Sequence, residues 1–197
     1  MKADFSEPLR LTESEIEPVV GTLARAFYDY PLFIYVFPDA SERRSGLPLL
    51  FQSFVHYGIL NGEVYATSRN LEGVAVWMPP DHTSRSSPVP EVNKDALDRM
   101  AHFGSQVHAV RKRHVPSAHW FLMIIGVVPE LQGRGCASVL LAPMLARIGR
   151  QHLPCYLDTE VEKNVDIYNR YGFRVVDDSI VVGTGVRSWG MLRESPD

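Results

Sequence analysis

The stretch that most constrains the fold of this chain runs from residue 118 to residue 150. AHWFLMIIGVV (118–128) is almost continuously apolar, the pattern of a central strand covered on both faces. It leads through PELQGRG into a run where Ala137, Leu140, Leu141, Met144, Leu145 and Ile148 recur at three- and four-residue intervals. That spacing predicts a helix over about 134–150 that buries one face against the strand. Pro143 either kinks this helix or takes a position where a lost hydrogen bond is tolerated. Gly126 marks a bulge or a close approach of another backbone. A glycine turn opening a helix is an anion site, because small residues admit an oxyanion to the backbone and the first-turn N–H groups lack an intrahelical partner. Pyrophosphate is the natural guest.

Around this unit the pattern is mixed α/β. LRLTESEIEPVVGTLARAFY reads as a short strand and a helix: Thr12 and Glu15 have capping-box spacing, and Ile16, Val19, Val20, Leu23 and Phe27 share a face. The prolines of DYPLFIYVFPD argue for an irregular apolar loop, and residues 42–60 resume helical period through Leu47, Leu50, Phe51, Phe54 and Val55. EVYATS and EGVAVWMPP form a predicted hairpin. DHTSRSSPVPEVN (81–93) reads as a surface loop and a candidate lid, followed by a helix over 94–113. Its basic end, Arg111, Lys112 and Arg113, suits the helix dipole, with contact to a ligand phosphate as the alternative. A strand at PCYLDT, a short helix over 163–171 and strands near 173–180 and 185–193 complete the order, which is that of one domain over residues 1–197.

Composition narrows the function classes. A formal charge of −3 argues against a general nucleic-acid binder, and no apolar run approaches the roughly 20 residues of a membrane span. Without an apolar leader at MKADFSEPLR, the expected location is cytoplasmic. The two cysteines, Cys136 and Cys155, fit neither a redox pair nor a zinc set, so reduced, packed thiols and no metal are expected.

Three phosphate-binding schemes compete for the turn. No GxxxxGK[ST] occurs, which excludes a Walker loop. Gly133 and Gly135 give GxG with Asp158 about 20 residues on, as in a dinucleotide fingerprint, but the third small residue is Ser138 and the unit begins late for a doubly wound sheet. The third scheme is [Q/R]xxGx[G/A], met as Gln132-Gly133-Arg134-Gly135-Cys136-Ala137, with NVDIYNRYGF about 30 residues later matching YxxxGF before a strand. In these two elements, spanning residues 119–177, the chain resembles the GNAT N-acetyltransferases. WFLMIIGVVPELQGRG, LPCYLDTEVEKNVDIYNRYGF and GVAVWMPP resemble the branch that includes puromycin N-acetyltransferase.

The resemblance implies a mixed, mostly antiparallel sheet of 6–7 strands flanked by helices, and acetyl-CoA as cosubstrate in a gap where the strands at 119–128 and 154–159 splay apart near a bulge close to Ile125 and Gly126. Backbone groups of Val127 and Val128 would pair with the pantetheine arm. Gly133, Arg134, Gly135, Cys136 and Ala137 would cradle the pyrophosphate, with Arg134 adding charge and Gln132 shaping the turn. Tyr168 would protonate the departing thiolate, and Asn164, four residues earlier on the same helix face, would meet the same cofactor arm. Tyr171 is assigned to packing. The central strand has no carboxylate, so the base is His119, Glu160 or none, the amine then reacting unaided. The expected reaction is direct acetyl transfer to a small-molecule amine by a monomer or homodimer. A nucleotide-dependent oxidoreductase and a non-catalytic acyl-CoA-binding module are the alternatives. Phe27, Tyr28, Phe33, Tyr35 and Trp77 hint at a partly apolar acceptor pocket, with core packing as their other use.

Overall fold

The computed structural model describes residues 7–80 and 85–195; the first four residues of the candidate lid lie outside them. Seven strands form one sheet: β1 (Leu9–Arg10), β2 (Glu63–Ala66), β3 (Gly73–Met78), β4 (Trp120–Val127), β5 (Cys155–Thr159), β6 (Arg174–Ile180) and β7 (Arg187–Arg193), in the order β1-β2-β3-β4-β5-β7-β6. Every neighbouring pair is antiparallel except β4 with β5. This is the mixed, mostly antiparallel sheet expected, and it overturns the dinucleotide reading, which needs a parallel doubly wound sheet.

Among the described residues, six α-helices pack on the two faces. α1 (Ile16–Ala26), α2 (Pro31–Val36), α3 (Ala40–Asn61) and α4 (Lys94–His114) join one apolar core; α5 (Cys136–Arg150) and α6 (Glu162–Asn169) join the other. The predicted face of α5 is borne out, with Leu140, Leu141, Met144, Leu145 and Ile148 buried and Pro143 turned to solvent. The helix begins at Cys136 rather than 134 because Gly133 and Gly135 have φ of 75° and 96°, left-handed values that end the turn before helical geometry starts. The expected loop at 29–39 is instead partly helical. Pro31 opens α2, a position where its missing N–H costs nothing, and Leu32, Phe33 and Val36 bury the face it presents. α6 ends at Asn169, two residues before the expected boundary, because Gly172 at φ 85° closes it and the Phe173 N–H returns to the Tyr168 carbonyl.

The sheet parts where the sequence suggests, by a slightly different device. β4 and β5 pair only at Trp120–Cys155, Phe121–Tyr156 and Leu122–Leu157, then separate. The bulge lies at Met123: Trp77 faces Leu122 and Val76 faces Ile124, leaving Met123 as the extra residue on β4. Gly126 serves the close approach instead. A Cβ there would lie 2.8 Å from the Phe27 ring and 3.0 Å from Leu23, so its absence lets α1 press on β4.

Candidate active site

Beyond Leu122 and Leu157 the parted strands frame two cavities. A cleft of about 770 Å³ runs from Gly126 and Val127 past Gly133, Gly135 and Ala137 to Tyr171. A chamber of about 340 Å³ lies deeper, between the sheet and α2, α3 and α4, walled by Phe33, Phe51, Phe54 and Phe103 with Asp158 and Glu160 among them. Phe27, Tyr30, Ile125, Asn164 and Tyr168 line both, so the cavities meet at those side chains.

The cleft carries the glycine turn. Apart from immediate chain neighbours, nothing lies within 4 Å of where a Cβ would stand at Gly133 or Gly135, so glycine is required there by backbone conformation and the space over the turn is open. The N–H groups of Cys136 and Ala137 belong to the first turn of α5, ahead of its helical ladder, while the Cys136 thiol is buried. The Gln132 side chain folds back to donate to the Val127 carbonyl at 3.2 Å, the turn-shaping part expected of it. The Arg134 N–H goes to the Leu131 carbonyl at 3.4 Å, and its side chain is exposed beside the turn. Val128 departs from expectation. Its N–H is taken by the Glu72 carbonyl at 2.9 Å and its carbonyl by the Leu131 N–H at 3.0 Å, so neither is available to a ligand. Since backbone groups alternate direction along an antiparallel strand, Val127 and Ile125 turn theirs toward the parted edge.

Tyr168 is buried at the junction, with its ring edge-on to Phe173. Burial, reinforced by the nearby Glu160, holds its phenol well above the ordinary range, so it keeps its proton. Asn164 Nδ2 donates to Thr159 Oγ1 at 3.1 Å, and that hydroxyl lies 3.1 Å from the Tyr30 hydroxyl, which accepts the Glu160 N–H at 3.0 Å. Glu160 is 9% exposed, accepts from Ser188 Oγ at 3.0 Å and is pushed up to about 8, by burial first and then by the charge of Asp158. Asp158, raised to about 7 by burial, accepts from the Tyr156 hydroxyl at 2.9 Å. Gly190 makes that bond possible: a Cβ on it would stand 2.2 Å from the Tyr156 hydroxyl. His119 lies at the opposite end of β4, where Nδ1 is 2.7 Å from the Ser117 carbonyl, and it lines neither cavity. Tyr171, expected only to pack, hydrogen-bonds Ser138 at 2.7 Å across the cleft wall.

Tyr30, Thr159, Ser188 and Asp158 were not assigned to this site from sequence. The one available signal is the alternation of Tyr156, Asp158 and Glu160, which places polar groups two apart along an otherwise buried strand. Among the described residues no group of three or more His, Cys, Asp or Glu is arranged to hold a metal ion, and no helix is long and apolar enough to cross a membrane.

A mostly antiparallel sheet that opens at one parallel pair, with a glycine turn and helix N-terminus at the mouth of the opening, is the GNAT acetyltransferase fold. Known structures agree. An acetyltransferase from Corynebacterium glutamicum, described as histone acetyltransferase HPA2 and related acetyltransferase, matches with a TM-score of 0.66 at 22% identity over 98% of each chain. Arylalkylamine N-acetyltransferase 2 from Aedes aegypti matches with a TM-score of 0.67 at 14% identity, over 96% of this chain and 99% of that one. In sequence the chain is similar to an uncharacterised N-acetyltransferase of Schizosaccharomyces pombe, 24% identical over 182 residues covering 83% of this chain and 72% of the relative. No protein-family model matches.

Proposed function

We propose that the protein is an acetyl-CoA-dependent N-acetyltransferase acting by direct transfer on a small amine. The observation that carries the reading is the junction of the two cavities at Tyr168 and Asn164, a cleft with an anion cradle on one side and an acid-bearing aromatic chamber on the other. The cleft suits the cosubstrate because the Cys136 and Ala137 N–H groups lie beside its open glycine turn, where phosphate oxygens can be received. The Val127 N–H offers strand-like pairing to an extended pantetheine arm, its carbonyl being taken by Gln132. When bound, acetyl-CoA supplies an activated thioester carbonyl.

The chain's own residues then divide the proton work. Glu160 faces the acceptor chamber and, with its affinity for protons raised to about 8, is matched to taking one from an ammonium or an attacking amine near neutral pH. Tyr168 keeps its phenolic proton at neutral pH and lines both cavities, so it is the candidate to protonate a departing thiolate. Asn164, fixed by Thr159 and through it Tyr30, holds the start of α6 against the junction. The phenylalanine walls favour an acceptor with an apolar or aromatic body, consistent with a puromycin-like or arylalkylamine-like small amine.

The test is calorimetric titration with acetyl-CoA together with thiol release over an amine panel, comparing wild type with Tyr168→Phe. The expected result is micromolar-range acetyl-CoA binding in both proteins and a fall of about 10²-fold or more in kcat for the variant. Binding without turnover of any amine would make the protein an acyl-CoA-binding module instead.

A further inference from the structure

The acceptor chamber does not end at its carboxylates. It shares His108, Arg111, Phe121 and Met123 with an outer pocket of about 400 Å³ that continues past Lys112 and His119. No Asp or Glu lines that outer pocket among the described residues. The chamber is therefore polarised, with Asp158 and Glu160 within and a guanidinium, an ammonium and two imidazoles toward the outside.

Arg111, at the boundary, differs from its neighbours on α4. Arg113 and His114 both reach Asp177, whereas Arg111 has no ion-pair partner among the described residues. Its guanidinium lies over the Phe121 ring, 3.8 Å from the centroid, and donates to His108 Nδ1 at 3.0 Å. Partial burial lowers its proton affinity in spite of the opposing charge of Asp158, which acts on it across the chamber without a contact ion pair. A planar fork held flat against a ring, with donors to spare, is preorganised for an oxyanion.

We propose that Arg111 receives an anionic oxygen group, a carboxylate or a phosphate, at the far end of the acceptor, so that the preferred substrate is an amine bearing an anion rather than a simple amine. The inference rests on the acetyltransferase reading above. The two ends of such a molecule match the two ends of the chamber: its nitrogen lies toward Glu160 and Asp158, and its anion lies on Arg111. A neutral acceptor leaves the desolvated guanidinium without a contacting oxyanion, which is the source of selectivity.

Three acceptors with one body separate the cases: 4-(2-aminoethyl)benzoate, tyramine phosphate and 4-(2-aminoethyl)benzamide, each assayed with wild type, Arg111→Met and Arg111→Lys. Wild type should favour the carboxylate or the phosphate over the amide by about tenfold in kcat/KM, mainly through KM, and whichever anion leads identifies the group. The ratio should fall to about one in Arg111→Met, which keeps an apolar contact with Phe121, and remain intermediate in Arg111→Lys. Because the ratio is taken within each protein, a partial loss of folded material cancels. A second measurement needs no turnover: 4-ethylbenzoate should raise the melting temperature of wild type and not of Arg111→Met. Equal kcat/KM for anion and amide in wild type, or equal stabilisation of both proteins by 4-ethylbenzoate, overturns the proposal. If no amine is acetylated although acetyl-CoA binds, the transfer reading fails and the 4-ethylbenzoate comparison still decides the role of Arg111.

Discussion

Glu160 and Tyr168 are both held away from their ordinary titration ranges, and in opposite functional senses. Burial raises the carboxyl to about 8, where it exchanges a proton readily near neutral pH, and raises the phenol so that it holds its own. With an amine that is already neutral at about pH 6, kcat/KM is expected to rise with pH and level off above about 8; Glu160→Gln should remove that limb and lower kcat/KM by about 10²-fold. A pH–rate profile of the two proteins checks this. Part of this arrangement was legible in the chain. Tyr168 and the glycines stand at fixed offsets inside short local motifs, and an offset survives without knowledge of the fold. Glu160 was readable only as one of several candidates, because its environment comes from Ser188 and from Tyr30, 130 residues away in the chain. His119 was attractive for its chemistry, but it precedes β4 at the end away from the gap, since proximity along β4 says nothing about the end at which the sheet parts.

At the scale of elements, periodic patterns read well and phases read poorly. The faces of α1 and α5 follow directly from apolar spacing, because burying a stripe is what stabilises an amphipathic helix. α2 was hidden by its prolines, one of which in fact starts it. Val128 was misassigned because the sequence does not reveal which alternate backbone groups point at β3 and which point at the gap. The β5–β7 pairing has a consequence of its own. Asp158 is opposite Gly190, and the Tyr156 hydroxyl fills the space a side chain would take. Gly190→Ala should displace that phenol, detach it from Asp158 and destabilise the protein by about 1–3 kcal/mol. Urea denaturation of the variant and of the Gly190→Ala/Tyr156→Phe double variant would check the assignment, the second being the less destabilised relative to Tyr156→Phe alone.

Over the whole molecule, two buried carboxyls with raised proton affinity give stability a definite slope with pH. A group that binds its proton more tightly folded than unfolded favours the native state most below its unfolded value, 4.5 for Glu160 and 3.8 for Asp158. That advantage is lost as pH rises to about 8 and about 7 respectively. Glu160→Gln, whose amide oxygen can still accept from Ser188, should therefore melt higher than wild type by about 3–10 °C at pH near 9 and match it near pH 4. Thermal melts across that range test the sign. A site that costs stability at its working pH is the usual mark of groups kept for chemistry. The extra residue at Met123 adds a constraint of a different kind. Upstream of it the odd-numbered residues of β4 face the layer of α1 to α4; downstream the even-numbered ones do, which is how Gly126 comes to lie under α1. Removing one residue there would turn Val127 inward and Gly126 outward, whereas exchanging the methionine for another apolar residue alters one wall of the chamber. In a library of variants this position should tolerate changes of spelling and reject changes of length, so the reading frame of the strand, more than any side chain in it, is what the gap inherits.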